Sequence, residues 1–391
     1  MMKRCWAFLL VAVFLWGSCN KATNPRHVRE GLEGNDAGIA GFFLLNAGED
    51  GSNKCTLDYY DYASGIYRKN IYAERNPGEV QELGDVGNEL ALYGNRLWAV
   101  VSASGRVEVM DAQTVRHIGS VSIPDCRYIA FRGGYAYVSS YAPLADPDPN
   151  PNPDADPNPN PDWQPGHVAR VDTATLQVTG TCRVGCQPEE MVIVGNKLYV
   201  ANSGIRRAPD YENTVSVIDL ESFEETGKID VGINLHRMKL DAYGIIWVSS
   251  RGDGYDVYPR TYLIDTRTDQ VVDCMDLLIC TDMTLCGDSL YVYCNYRDNI
   301  YQSSEIGYSL VNVKTRQILT RRFITDGTDA QFQSPNGIAV NPLTREFYVT
   351  DARDRITPGK LYAYTPEGRL KWQLNTGDVP SRFVFTPYRL R

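Results

Sequence analysis

The chain is short of most signals that would name a chemistry. It has no G-x-S-x-G nucleophile elbow and no C-x-x-C pair, and its four histidines, His27, His117, His167 and His236, lie far apart. That scatter argues against a zinc site. Positive charge is also scarce. The 39 basic residues face 48 acidic ones, a net charge of −9 that becomes −11 once Lys3 and Arg4 leave with an N-terminal leader. A net acidic chain without a basic stripe is a poor nucleic-acid binder. Helix-friendly runs are few while tyrosines number 25, a balance that leans towards β structure.

The N-terminus carries a leader in place of a membrane span. The apolar run Trp6–Trp16 has eleven residues, against the ~20 needed to cross a bilayer, and it follows the basic Lys3-Arg4 pair as a secretory h-region does. It ends in Gly17-Ser18-Cys19, similar to a bacterial lipobox, although Trp16 stands where an aliphatic residue is usual. Residues 1–18 therefore read as a lipoprotein signal peptide and Cys19 as the lipidated first residue, anchored by its acyl chains. Residues 19–38 read as a flexible tether. Eight cysteines remain in the mature chain, an even number that permits disulfides in an exported protein and leaves free, packed thiols equally open.

What is present in quantity is a repeat. A short apolar strand, a tight turn and a strand with an aromatic before valine recur as "LALYGNRLWAV" (90–100), "IAFRGGYAYV" (129–138), "MVIVGNKLYV" (191–200), "MKLDAYGIIWV" (238–248), "MTLCGDSLYV" (283–292) and "IAVNPLTREFYV" (338–349). A third strand follows each, as in "VEVMDAQT" and "VSVIDLES", alternating apolar and polar residues as a half-buried strand does. Asp111, Asp172, Asp219, Asp265 and Asn312 precede its turn at spacings of 61, 47, 46 and 47. Four antiparallel strands every ~45 residues specify a β-propeller. The N-terminal "GFFLLNAG" and the next two strands lack a first strand, and "SRFVFTPY" (381–388) has nothing after it. Pairing them closes a ring of seven blades, an all-β domain over 39–391.

The long spacing of 61 contains "DPDPNPNPDADPNPNPDWQPG". Proline at nearly every second position bars helix and central strand. The repeat resumes in phase on both sides, so residues 142–166 are a loop insert within one blade and not a linker between domains.

The connections that enter each first strand, and those joining second and third strands, share one face. There they are long, as in "NSGIRRAPDYEN" (202–213), "SSRGDGYDVYPR" (249–260), "CNYRDNIYQSSEIG" (294–307) and "TDARDRITPG" (350–359). Long loops on a rigid scaffold are where binding concentrates. Tyr141, Tyr211, Tyr255, Tyr258, Tyr296 and Tyr301 on these loops offer stiff, stacking contact area. The residues just before the seven innermost strands, Glu89, Tyr128, Glu190, Arg237, Asp282, Gly337 and Arg382, should ring the channel mouth. Their alternating signs describe a self-neutralising ring better than a divalent-ion cage. The candidate ligand contacts on this geometry are Tyr128, Glu190, Asn202, Arg237, Arg251, Tyr255, Asn295, Tyr296, Asn336, Asp351, Arg353 and Arg382. No catalytic set and no resident metal or cofactor is expected.

With the blades laid out, "GFFLLNAGEDGSNKCTLDYYDYASG", "LGDVGNELALYGN", "QPEEMVIVGNKLYVANS" and "NGIAVNPLTREFYVTDA" make the chain resemble the YncE-like propeller lipoproteins of Bacteroidetes over 41–388. Within that group it is most similar to the surface type that captures cobalamin, the BtuG-like proteins. The resemblance implies a seven-bladed propeller, cobalamin or a related corrinoid as ligand, a TonB-dependent outer-membrane transporter as partner, and an outer-membrane location. It assigns no ligand residues. The segment after Cys19, "NKATNPRH", lacks the acidic cluster that accompanies surface display, which leaves the periplasmic face open. Three other readings stand beside it: a surface glycan binder, an interaction scaffold, and a lactonase-like enzyme with a cation near Glu190, Asp282 or Asn336.

Overall fold

A computed structural model describes residues 38–78, 83–144, 164–298 and 303–391. The signal peptide, Cys19, nearly all of the tether and residues 145–163 of the insert lie outside the described residues.

The strands form seven four-stranded antiparallel sheets in a ring. The innermost strands are Pro380–Thr386, Gly87–Tyr93, Cys126–Arg132, Pro188–Val194, Leu235–Leu240, Asp282–Cys286 and Pro335–Val340, for blades 1 to 7 in that order. Blade 1 is composite, as expected. Its inner strand, the last of the chain, pairs antiparallel with Gly41–Asn46 from Gly41↔Thr386 to Asn46↔Pro380. The chain thus enters the ring at Ala40, whose N–H donates to the Thr386 carbonyl at 2.7 Å. That is the face opposite the start of the inner strands.

Each sheet is sandwiched between two others, so the middle strands bury both faces. Seven hydrophobic clusters fill the seven slots between blades. Successive residues of one strand serve opposite slots: Phe42 and Leu44 pack on blade 7 beside Tyr348 and Leu361, while Phe43 and Leu45 pack on blade 2 beside Leu90 and Leu97. This corrects the half-buried reading of the third strands. Among their polar residues, Asp58, Glu108, Ser216 and Thr261 are at most 2% exposed, and each is bonded. Asp58 accepts from the Tyr67 hydroxyl at 2.6 Å, Glu108 from Tyr72 at 2.9 Å, Ser216 from Asn202 at 2.9 Å, and Thr261 donates to the Leu278 carbonyl at 2.8 Å. Only the outer strands, such as His117–Ser122, alternate between cover and solvent.

The recurring aspartates are turn makers. Asp111 Oδ1 accepts from the N–H groups of Gln113 and Thr114 and from the Thr114 hydroxyl; Asp172 and Asp219 repeat the pattern. The residue four positions on takes a left-handed conformation: Val115 at φ 58°, Leu176 at 60°, Phe223 at 58°. Side chains pay about 1–2 kcal/mol for that backbone. These persist because the same side chain is driven into an inter-blade slot, completely so for Val115.

In blade 3, Ser140 pairs with His167, so the chain leaves this sheet after Ser140 and rejoins it at His167. Cys126, Cys182, Cys274, Cys280 and Cys286 are free thiols. Burial pushes the Cys126 thiol up to about 12, which keeps it protonated and inert.

Phe42 has no exposed surface and sits 5.0 Å from the Tyr348 ring and 5.7 Å from Phe383, between blade 7 and the closing strand. Phe42→Ala is expected to destabilise the ring by about 3–5 kcal/mol, read as a lower urea midpoint at unchanged slope.

Candidate functional site

The channel mouth is shaped by β-bulges at the start of the inner strands. The register breaks between Gly87 and Glu89, Cys126 and Ile129, Pro188 and Met191, Leu235 and Met238, and Pro335 and Gly337, and Ser381 is skipped in blade 1. A bulge re-aims side chains that a regular strand would send to opposite faces. The skipped residues supply part of the mouth, Arg127 and Tyr128, Glu189 and Glu190, His236 and Arg237, with Asn88 and Asn336, while Glu89, Lys239, Asp282 and Arg382 reach it from paired positions. Blade 7 presents Gly337 here because a Cβ would lie 2.2 Å from the Ser381 carbonyl oxygen of blade 1.

Two carboxylate-centred networks result. Glu189 is completely buried. It accepts from the Tyr141 hydroxyl at 2.6 Å and from the Arg251 guanidinium, with Arg127 Nη2 at 3.6 Å. Arg127 and Arg206 cover the Tyr141 ring at 4.7 and 5.1 Å. Against the cost of burial, Arg251, Arg127 and the Tyr141 hydroxyl hold Glu189 below the usual carboxylate range. The second network centres on Asp282, gripped by Arg237 Nε at 3.0 Å and Arg382 Nη1 at 2.8 Å. Arg382 also faces Glu89 at 3.7 Å and donates to the Asn88 carbonyl at 3.1 Å. Glu190 accepts from the Met238 N–H at 3.0 Å and pairs with Lys239. The Tyr128 hydroxyl accepts from Arg237 Nη1 at 2.8 Å and lies 3.0 Å from His236 Nε2. Burial, then the charges of Arg251, Arg237 and Arg127, keep His236 neutral.

Five cationic side chains (Arg127, Arg237, Lys239, Arg251, Arg382) therefore meet four carboxylates (Glu89, Glu189, Glu190, Asp282). Burial, then Glu190, pushes Glu89 up to about 7. Burial raises Asp282 to about 6 against the pull of Arg237 and Lys239. With Glu89 half-protonated near neutrality, the mouth is a cationic centre in an acidic protein. Such a site favours an anionic group on a ligand. Among the described residues no three His, Cys, Asp or Glu side chains are grouped to hold a metal ion.

The mouth gathers Tyr128, Glu190, Arg237, Arg251 and Arg382 of the expected contacts, with Asn336 bonding the Pro380 carbonyl at 3.1 Å. Tyr255 is 56% exposed on the neighbouring loop. Asn295 and Tyr296 are half-buried on the second strand of blade 6, and Arg353 reaches the Pro358 carbonyl at 3.4 Å. Three residues are placed otherwise than expected. Asn202 is wholly buried, its Nδ2 donating to the Thr214 and Ser216 hydroxyls. Asp351 is 1% exposed and accepts three N–H groups, from Gln333, Ser334 and Arg353, tying its own loop to the one that enters the inner strand. Tyr141, read as a stacking surface, is 5% exposed and buttresses Glu189 instead. Arg127, Glu189, His236 and Lys239 were missed. The signal that could have found the first three is a pair of polar residues, "RY", "EE" or "HR", where one residue per strand would suffice; Lys239 stands outside any such pair.

A carboxyl with a raised folded-state pKa stabilises fully below its unfolded value, and that contribution is lost as pH rises through the folded one. For Glu89 the window runs from 4.5 to about 7. Glu89→Gln should raise thermal stability at pH 8 more than at pH 5, by up to about 3 kcal/mol, while the shallower dependence from Asp282 persists. Equal effects at both pH values would refute this picture of the mouth.

Comparison with known proteins places the architecture. Residues 40–142 match a domain of unknown function (DUF5074). No curated protein matches the chain. The periplasmic gluconolactonase PpgL of Pseudomonas aeruginosa superposes with a TM-score of 0.61 at 14% identity, covering 88% of this chain and 99% of that one. A quinonprotein alcohol dehydrogenase-like protein from Bacteroides thetaiotaomicron gives 0.58 at 13% identity, over 90% and 79%. The hydrazine synthase of Kuenenia stuttgartiensis gives 0.53 at 17%, over 72% and 77%. At such identities the likeness is one of fold, and the chain is a seven-bladed β-propeller that carries a DUF5074 match in its first blades.

Proposed function

We propose that this chain is a lipid-anchored outer-membrane protein that captures cobalamin or a related corrinoid on its loop-rich face and passes it to a TonB-dependent transporter. The observation that carries the reading is the cationic mouth of an otherwise acidic chain, with Tyr255 and Tyr258 exposed by 56% and 44% on an adjoining loop. A corrinoid is a broad disc fringed with amides and bearing a phosphate and an aromatic base. Arginines at the mouth suit the phosphate, and exposed tyrosines suit the disc and base. The loop 251–259, which carries both tyrosines, is preorganised. Asp253 Oδ1 accepts from the N–H groups of Tyr255 and Val257, and Gly252, at φ 63°, has the Val257 carbonyl oxygen 2.0 Å from where a Cβ would stand. Stiff contacts lose little entropy on binding.

The same exposed tyrosines support a second reading, a surface glycan binder, in which sugars stack on Tyr255 and Tyr258 without needing the cationic mouth.

Calorimetric titration of residues 20–391 with cyanocobalamin tests the first reading. One-to-one binding with a dissociation constant below about 1 μM, weakened at least tenfold by Tyr255→Ala, is the expected result. Absence of heat, with no colour retained through gel filtration, would sink the corrinoid reading and promote the glycan one. Cys19→Ala should move the protein from the membrane fraction to the soluble one; retention in the membrane would refute the anchor.

A further inference from the structure

Blade 6 departs from its neighbours at the rim. In blades 2, 3, 4, 5 and 7 the outer strand runs the length of the third strand, to Arg106↔Ser122, His167↔Arg183, Thr214↔Asp230, Thr261↔Met275 and Lys360↔Asn375. In blade 6 the third strand, Ser303–Asn312, has ten residues, yet the outer strand Gln317–Thr320 pairs only with Leu310, Val311 and Asn312. The other edge of the third strand is fully taken by Ser289–Asp298.

The uncovered stretch points its main chain outward in a defined way. The Thr281 N–H donates to the Tyr293 carbonyl at 2.9 Å, so the Tyr293 main chain faces the inner strand. Its cross-strand partner Tyr308 must then turn N–H and C=O to the opposite, open side, and so must Ile306 two residues away. Among the described residues no main-chain group meets either of them there. Beside this edge lies a groove of about 250 Å³ whose walls include Leu277, Ile279, Cys294, Ile306, Tyr308 and Arg321. Leu277 at its mouth is 74% exposed. Arg321 bonds the Leu277 carbonyl through Nη1 at 3.0 Å, and Arg322 beside it is exposed. The nearby Asp276 is engaged by Arg260 at 3.2 Å.

We propose that a partner polypeptide adds an extended, acidic segment to this edge. It would take main-chain hydrogen bonds at Ile306 and Tyr308, place an apolar side chain in the groove beside Leu277, and set a carboxylate against Arg321 and Arg322. Donors and acceptors spaced along a strand edge are met by another extended backbone, and the two arginines fix its charge. A second copy of this chain fits less well, because its own Arg321 and Arg322 would come to the same groove. The site is remote from the mouth in its chemistry and does not rest on the identity of the ligand there.

The test uses residues 20–391 and a fluorescein-labelled octapeptide of alternating valine and polar residues, made with glutamates or with lysines. The glutamate peptide should bind at least tenfold tighter by fluorescence anisotropy and should slow hydrogen exchange at the Ile306 and Tyr308 amides. Ile306→Pro, which removes an outward N–H at an edge position, should abolish binding, and Arg322→Glu should reverse the charge preference. Arg322→Glu should keep the parent's urea midpoint. Failure of the glutamate peptide to bind, protection elsewhere in the chain, or an edge-to-edge dimer protecting the same amides would each overturn the proposal. Should Ile306→Pro fail to fold, Arg322→Glu and the exchange map still decide it.

Discussion

The closing of the ring by the last strand is the constraint on which everything else rests. A four-stranded sheet with two apolar faces is insoluble on its own, and each blade here is such a sheet. Only a closed circle covers every face, because each slot needs a wall on both sides. Gly41–Asn46 shows the dependence plainly. It holds Pro380–Thr386 on one edge, feeds Phe42 and Leu44 to blade 7, and feeds Phe43 and Leu45 to blade 2. Without the closing strand, both terminal blades would expose a hydrophobic wall, and the inner positions that aim at the mouth would lose their registration.

That rigidity allows charged groups to be held close together at little exposure. Buried ions are tolerable only when paired and hydrogen-bonded, and the mouth meets the condition by having carboxylates from some blades gripped by cations from others. Asp282 of blade 6 lies between Arg237 of blade 5 and Arg382 of blade 1. Glu189 of blade 4 is reached from blades 3 and 5. The networks therefore stitch blades across the channel as well as tuning its charge, and a ligand group arriving there meets a field already fixed in place.

Much of this was legible in the sequence, for reasons that can be stated. The repeat was visible because strand length and turn chemistry recur every blade, and Asp111, Asp172 and Asp219 mark the turns by hydrogen bonds that only a short polar side chain can make. The ring charges Glu89, Glu190, Arg237, Asp282 and Arg382 were legible because position in the repeat predicts position at the mouth. Arg127 and Glu189 were not, since a regular strand would turn one of two adjacent residues away and only the doubled polar residues hint at the bulge. Asn202 and Asp351 misled because a polar residue at a strand end can face a ligand or its own loop with equal ease. The bare edge of blade 6 was hidden in the length of an outer strand, which depends on tertiary pairing and not on local pattern.

The chain enters the ring at Ala40, against Thr386, on the face away from the mouth. A leash fastened there pulls from the pole opposite the opening. On the proposed function, an anchor at the N-terminal end would draw the propeller close to a surface without shutting its own aperture, and capture and mooring would not compete for one patch of protein. The barrel-like body itself becomes the spacer between them, and the tilt of the whole ring decides which way the opening looks.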